Sequence, residues 1–143
     1  MGYAVLHIEK ARSNDSGNTA HIARTYTPSN VDPSRTRLNR ELVQFPANVT
    51  NRSEAIEHRI ATAGIYRKVA KNQVKALRFI LSSSPEDMAR IEQEGLLYEW
   101  CDESMDWLRS TFGADNVVAA TLHADEDTPH IHATVVPIAV SYT

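Results

Sequence analysis

The chain has little cysteine and little glycine, and it contains no long apolar run. Its single cysteine, Cys101, excludes an internal disulfide framework. Its five glycines form no Gly-rich phosphate loop. No apolar run approaches the roughly 20 residues that span a membrane, and the N-terminus lacks the basic-then-apolar pattern of a signal peptide. We therefore expect a cytoplasmic protein without membrane association and without a nucleotide or other small-molecule cofactor.

The length bounds the number of domains. With 143 residues, 42% of them hydrophobic, the chain can bury one core of ordinary size. No composition shift or internal repeat indicates a second domain. We expect residues 1–143 to form a single domain.

The chain has 15 Lys or Arg against 18 acids, a net charge of −3, but its positive charge is unevenly distributed. Residues 52–78 carry seven Lys or Arg against two acids, whereas residues 86–127 carry twelve acids against two arginines. An isolated charged run is usually a solvated helix face. Here a second basic cluster lies in residues 24–40, so the pattern predicts a phosphate-binding surface. Its candidate residues are Arg35, Arg37, Arg40, Arg67 and Lys71.

Histidine is concentrated around one tight turn. Residues 123–132 contain three of the six histidines and three acids. Strand alternation projects His130 and His132 from one face, and the β-rich run 117–122 with its Asp/Thr/Pro turn predicts a hairpin that brings His123 beside His130. Three neutral imidazoles suit a borderline divalent metal and leave open positions for water or a phosphate oxygen. The hairpin is therefore predicted to form a catalytic metal site.

The remaining pattern indicates alternating strands and helices. Strands are predicted at 3–9 and 74–81. A helix capped by Ser53 is predicted to extend through about Val69. A second helix is predicted to begin at Ser84-Pro85, and an amphipathic helix is predicted to end at Gly113. Between residues 19 and 51 we predict only a short helix capped by Thr19 and a turn at 32–34. This order indicates an antiparallel α+β sandwich whose helices cover one sheet face, with the His130–His132 strand central and next to the first strand.

Several segments together carry a family pattern. They are the opening strand, Ala20-His21-Ile22-Ala23-Arg24, Leu38-Asn39-Arg40-Glu41-Leu42, and the run from His123 to His132 that leads into Val135-Val136-Pro137. They resemble the relaxase domain of the Mob/Pre (MobV) plasmid mobilisation proteins of the HUH endonuclease superfamily, whose third motif, HxDExTPHxH, is matched at every fixed position. The resemblance implies an antiparallel β-sheet with helices packed on its faces. It also implies an enzyme that nicks one DNA strand at an origin of transfer, stays attached to the 5′ end and later rejoins it.

The resemblance assigns roles to particular residues. It implies that His123, His130 and His132 bind Mn²⁺ or Mg²⁺, with Glu126 as an acid near the site. The family's first motif, HNxR, stands here as His21-Ile22-Ala23-Arg24 without its asparagine, and the second, NYEL, as Asn39-Arg40-Glu41-Leu42 without its tyrosine. His21 is the implied nucleophile, with Tyr26 as the alternative. Arg24 would stabilise transition-state charge, and either Glu41 or Glu126 would assist the imidazole.

The implied partner is single-stranded or hairpin origin-of-transfer DNA. The resemblance also implies that residues 1–143 are the N-terminal part of a longer protein whose other regions contact the conjugation machinery. Two other classes stay open. A rolling-circle replication initiator or single-strand transposase would need Tyr142 as its nucleophile, and a non-catalytic metal-dependent DNA-binding module would use the histidines structurally.

Overall fold

A computed structural model describes residues 4–11, 16–24, 28–63 and 74–138. The described strands are β1 (Ala4–Ala11), β2 (Arg40–Glu41), β3 (Ala76–Ser82), β4 (Val117–His123) and β5 (His130–Val135). The described α-helices are α1 (Ser16–Ala23), α2 (Arg52–Thr62), α3 (Pro85–Gln93) and α4 (Leu97–Phe112), with short 3₁₀ helices at Pro33–Leu38 and Ala114–Asn116. None of these helices is both long and apolar enough to cross a membrane.

The five strands form one sheet in the order β1-β3-β5-β4-β2, and every neighbouring pair is antiparallel. This confirms the predicted antiparallel α+β class and the central position of the strand that carries His130 and His132. The predicted neighbour of that strand was wrong. Because β3 pairs along most of its length with both β1 and β5, it separates the first strand from the histidine strand.

The larger core lies between the sheet and helices α3 and α4. On β5, Ile131 is fully buried on this face, together with Leu122 of β4. Trp100 and Leu108 of α4 cover them and are also fully buried. Because side chains alternate along a strand, this packing directs His130 and His132 to the opposite face.

Helices α1 and α2 lie on that opposite face. A smaller core there joins Ala55 and Ile56 of α2 to Val118 and Val136, and the Thr19 hydroxyl of α1 is 2.8 Å from that of Ser53. The helices therefore cover both sheet faces, and the expectation that they cover one face was wrong. The chain crosses one face between β1 and β3 and the other face between β3 and β4, which the order of elements does not reveal.

Two predicted helix ends coincide with the observed ones. The Ser84 hydroxyl accepts from the Asp87 N–H at 3.1 Å, which confirms this cap. Gly113 follows α4 with a φ of 92°, a conformation that favours glycine. The cap of α2 is Asn51 rather than Ser53, because the buried Ser53 hydroxyl instead lies against Thr19.

The other helix boundaries differ from the predictions. Thr19 lies inside α1 rather than at its cap. The helix predicted to reach Val69 ends at Thr62, and residues 64–69 lie outside the described residues. The predicted turn at 32–34 begins the 33–38 3₁₀ helix, with Asp32 as its cap.

The position of the larger core generates a stability prediction. Ile131→Ala should lower the free energy of unfolding by about 2–5 kcal/mol, because it leaves a cavity between β5 and α4. Ile8→Ala, at a side chain that is 55% exposed, should cost about 0.5 kcal/mol or less. Urea unfolding of the two variants measures the difference. Equal losses would contradict the described core.

Candidate metal centre

The β4–β5 hairpin brings three imidazoles and one carboxylate together. His123 is directly opposite His130 in the strand register, and the three histidine ring centroids are 4.6 to 5.4 Å apart. One ligand atom from each of His123, Glu126, His130 and His132 lies within 4.8 Å of the others. The hairpin geometry predicted from the sequence is therefore present, with Glu126 as a fourth member of the cluster.

The tautomer of His123 follows from its backbone partner. Its Nε2 is 2.7 Å from the carbonyl oxygen of Ile22. Since a carbonyl only accepts, Nε2 carries the proton and the neutral ring has its lone pair on Nδ1. That Nδ1 atom is buried and has no hydrogen-bond partner among the described residues. It lies 3.5 Å from Oε2 of Glu126.

His130 is oriented in the same way. Its Nδ1 donates to the Thr128 carbonyl at 2.8 Å, which leaves the lone pair on Nε2. That Nε2 is 3.3 Å from Oε2 of Glu126 and 3.1 Å from Nε2 of His132. Lone pairs that face a carboxylate repel it unless a proton or a cation lies between them. Three imidazole nitrogens and one carboxylate oxygen that converge in this way fit a divalent metal ion.

The environment keeps these groups in the protonation states that metal ligands need. Burial lowers the pKa of His132 to about 2, and the charges of His123 and His130 act in the same direction. Close contact with His123 and His130, together with the hydrogen bond from Arg24, lowers the pKa of Glu126 far below its usual range, although burial opposes this shift. The cluster therefore holds a neutral His132 beside an ionised Glu126 near neutral pH.

Two further side chains hold the Glu126 carboxylate. Arg24 Nη2 donates to its Oε2 at 2.8 Å, and Asn30 Nδ2 donates to its Oε1 at 2.9 Å. Asn30 was not a predicted site residue, and no motif indicates it. The neighbouring Asp125 is fully buried and also binds Arg24. Asp125 was likewise not predicted, although it occupies a fixed position of the third motif.

His21 lies near the C-terminal end of α1, beside this cluster. Its carbonyl accepts from Arg24 Nη1 at 2.8 Å. Its half-buried imidazole interacts electrostatically with Arg24, Glu126, His123 and His130; burial and the Arg24 charge lower its pKa. Ile22, which stands where the family motif has asparagine, is buried and contributes its carbonyl to His123.

Glu41 lies on the edge strand β2, paired with Thr121. Its Oε1 accepts from the Thr121 hydroxyl at 3.1 Å, and desolvation of the carboxyl raises its pKa although that bond opposes the shift. Glu41 is not one of the residues whose ligand atoms converge. It therefore faces the same side of the sheet as His123 without joining the cluster.

The predicted phosphate-binding residues are only partly open to a ligand. Arg35 donates to the carbonyl of Ala124 and to Glu92, both at 2.9 Å. Arg40 donates to the carbonyls of Arg37 and Asn39 and lies 5.7 Å from the Tyr98 ring centroid. Arg37 is exposed. Arg67 and Lys71 lie outside the described residues, as do Tyr26 and Tyr142.

The described bases of the 52–78 run also have protein partners. Arg52 is buried and donates to Thr134 at 2.6 Å. Arg59 donates to Asn116, and Lys75 pairs with Glu57. Arg78 pairs with Glu9. The described basic residues of this run are therefore engaged with partners inside the fold and do not form an open basic surface.

The fold and cluster define an antiparallel α+β domain whose hairpin carries a histidine-rich group that could hold a metal ion. Residues 1–141 match the family described as plasmid recombination enzyme (Mob_Pre), and the chain belongs to this family. It is 32% identical to plasmid recombination enzyme type 3 of Staphylococcus aureus over 96% of its own length and 34% of that protein. It is 31% identical to a 65 kDa protein of Zymomonas mobilis over 94% of its own length and 23% of that protein. The chain thus spans about a third or less of these relatives.

Solved structures share the fold. The MobM relaxase domain, bound to 22 nucleotides of plasmid oriT DNA and to Mn, superposes with a TM-score of 0.83 at 22% identity over 97% of this chain and 72% of that one. A second MobM complex, with a 3′-thiophosphate DNA, gives a TM-score of 0.82 at 24% identity over the same shares. These similarities confirm the expected relaxase-like α+β fold.

The pKa of His132 predicts an acid-sensitive metal-free protein. Between its folded value of about 2 and the ordinary 6.5, the unfolded chain binds a proton that the folded chain does not. The contribution of His132 to the free energy of unfolding is therefore fully present above about pH 6.5. It falls as the pH is lowered, by up to about 1.4 kcal/mol per pH unit. Urea unfolding in a chelator between pH 7 and 5 measures the slope. His132→Gln should reduce it, and identical slopes would contradict the assignment.

Proposed function

We propose that this domain is a metal-dependent relaxase, which cleaves one strand of origin-of-transfer DNA, retains the 5′ phosphate on a side chain and later rejoins the strand. The convergence of three histidines and Glu126 beside His21 carries the proposal. Membership of the plasmid recombination enzyme family supports it. So does the shared fold with a relaxase domain that binds oriT DNA and Mn.

The residues proposed to hold the ion are His123, His130 and His132, with Glu126 next to it. Mn²⁺ and Mg²⁺ are the proposed ions, and an imidazole-rich donor set is less usual for Mg²⁺, which prefers carboxylates and water. When bound, the ion would supply a Lewis acid that polarises the scissile phosphate. The buried lone pair on His123 Nδ1 supports this assignment.

His21 is the proposed nucleophile. Because its pKa is lowered, its imidazole is neutral and offers a lone pair at neutral pH. An imidazole nitrogen attacks phosphorus, a P–N bond forms, and the bond from phosphorus to the 3′ oxygen breaks. The proton on the other ring nitrogen passes to a carboxylate, and the 3′ oxygen leaves as a hydroxyl after it takes a proton from water. The reverse sequence rejoins the strand, so no nucleotide is consumed.

Neighbouring groups would assist this step. Glu126 and Glu41 are the two proposed acceptors of the imidazole proton. Glu126 belongs to the cluster, where Arg24 and Asn30 hold its carboxylate, whereas burial raises the pKa of Glu41 and makes it the stronger base. The Arg24 guanidinium lies beside Glu126 and is proposed to stabilise charge on the phosphate. Tyr26 is the alternative nucleophile.

Single-stranded or hairpin origin DNA is the proposed partner, with residues 1–143 acting as one nicking domain. Arg35, Arg37, Arg40, Arg67 and Lys71 are the proposed backbone contacts. The exposed Arg37 is the best supported of those described, since Arg35 and Arg40 already have protein partners. We also propose that the protein contacts the conjugation machinery. A different HUH nuclease and a non-catalytic metal-dependent module are the alternatives.

Metal binding is tested directly by calorimetry. His130→Ala should weaken Mn²⁺ binding at least about tenfold, because it removes a ligand. His58→Ala, on α2 and outside the cluster, is the matched control and should bind as the unchanged protein does. An unaltered affinity in His130→Ala would remove His130 from the ligand set.

The covalent product tests the function itself. Incubation with single-stranded origin DNA and Mn²⁺ should yield a protein–DNA adduct that is labile to acid and stable to alkali, since a P–N bond is formed. His21→Ala should bind the DNA and form no adduct, whereas Tyr26→Phe should still form it. An acid-stable adduct, or one that persists in His21→Ala, would move the nucleophile to a tyrosine. DNA binding without any adduct would favour the non-catalytic module.

A further inference from the structure

Asp125 is a buried charge that accepts several hydrogen bonds. It is fully buried, and its carboxylate accepts from Arg24 Nε and Nη2, both at 3.0 Å. Thr36 Oγ1 and Asn39 Nδ2 donate to its Oδ2 at 2.9 and 3.1 Å. Burial acts to raise the pKa of Asp125, but these bonds hold it at about 2. A buried carboxylate with this many donors is held as an anion.

The partners of Asp125 come from distant parts of the chain. Arg24 follows α1, Thr36 lies in the 33–38 3₁₀ helix, and Asn39 precedes β2. The backbone adds to this junction, because the Asp32 N–H donates to the Asp125 carbonyl at 2.7 Å and Asn39 Oδ1 accepts from the Ala124 N–H at 2.8 Å. Asp125 therefore attaches the segment that contains His21 to the hairpin that contains the metal cluster.

Arg24 links Asp125 to the groups proposed to react. With two nitrogens fixed by Asp125, the planar guanidinium directs Nη2 to Glu126 at 2.8 Å and Nη1 to the His21 carbonyl at 2.8 Å. Arg24 also has a φ of 58°, which residues other than glycine rarely adopt. Such a conformation persists where surrounding contacts determine it, and the bidentate pair with Asp125 supplies those contacts.

We propose that Asp125 is a positioning residue for the strand-transfer step: through Arg24 it fixes the carboxylate of Glu126 and the end of the helix that carries His21. Asp125 touches neither the DNA nor the converging ligand atoms in this assignment. The inference rests on the relaxase function proposed above. It predicts that loss of the Asp125 charge separates the nucleophile from the metal cluster while the core packing stays intact.

The central comparison is Asp125→Asn against Asp127→Asn. Both changes remove one negative charge from the same turn, but Asp127 is exposed, whereas the amide introduced at position 125 would direct a donor at Arg24. At saturating Mn²⁺ and origin DNA, single-turnover adduct formation should fall about 10²-fold in Asp125→Asn, as a displaced reacting group requires. Asp127→Asn should react as the unchanged protein does, and both should bind the DNA equally. A normal adduct rate in Asp125→Asn would overturn the proposal.

A double-mutant cycle separates positioning from general destabilisation. Since Asp125 acts through Arg24, the rate losses of Asp125→Asn and Arg24→Gln should be strongly non-additive, with little further loss in the double variant. Rate losses that multiply would show that Asp125 does not act through Arg24.

A measurement without DNA or metal completes the test. In NMR spectra, Asp125→Asn should shift the His21 imidazole and Arg24 Nε–H signals while core methyl signals stay in place. If that variant does not fold, Thr36→Val takes its role, since it removes one hydrogen bond and keeps the charge, with the same signals shifted and an adduct rate lowered about threefold to tenfold. Unmoved signals in the folded variants would contradict the proposal. If the unchanged protein forms no adduct, the relaxase function fails, and these spectra alone decide whether Asp125 positions His21.

Discussion

The pairing of β4 with β5 is the constraint on which the rest of the site depends. Its register places His123 opposite His130, and strand alternation then adds His132 to the same face while Ile131 enters the core. A shift of one residue would exchange these two sets, because side chains alternate with a period of two. The buried positions of Leu122 and Ile131 oppose such a shift, so the hydrophobic core itself holds the histidines in place.

A second constraint comes from charge. The hairpin buries Asp125 and partly buries Glu126, and a buried anion is costly unless it is paired. Arg24 satisfies both carboxylates at once. The segment that follows α1 is thereby tied to the turn between β4 and β5, which brings His21 beside the cluster. The contacts that pair these charges are therefore the same contacts that place the proposed nucleophile.

The cluster is arranged for an ion rather than for its own stability. The backbone carbonyls of Ile22 and Thr128 accept hydrogen bonds from two imidazoles, so that the remaining lone pairs of those rings face each other and the Glu126 carboxylate. Such an arrangement is repulsive in the absence of a cation. Orientation of ligand histidines by a second hydrogen bond is the usual way in which a protein prepares a metal site. Burial of the third imidazole, His132, accounts for the expected acid sensitivity of the metal-free protein.

The sequence alone determined the local features that depend on short-range pattern. These include the hairpin with its three histidines, the caps at Ser84 and Gly113, and the antiparallel α+β class, because alternation, turn chemistry and capping act between near neighbours. Its third motif also indicated the family. The tertiary structure decided which sheet face each helix covers, which strand separates β1 from β5, and which basic side chains are already paired. It alone identified Asp125 and Asn30, since Asp125 is 101 residues from Arg24 and Asn30 is 96 residues from Glu126 in sequence, and no local pattern specifies contacts between segments that distant.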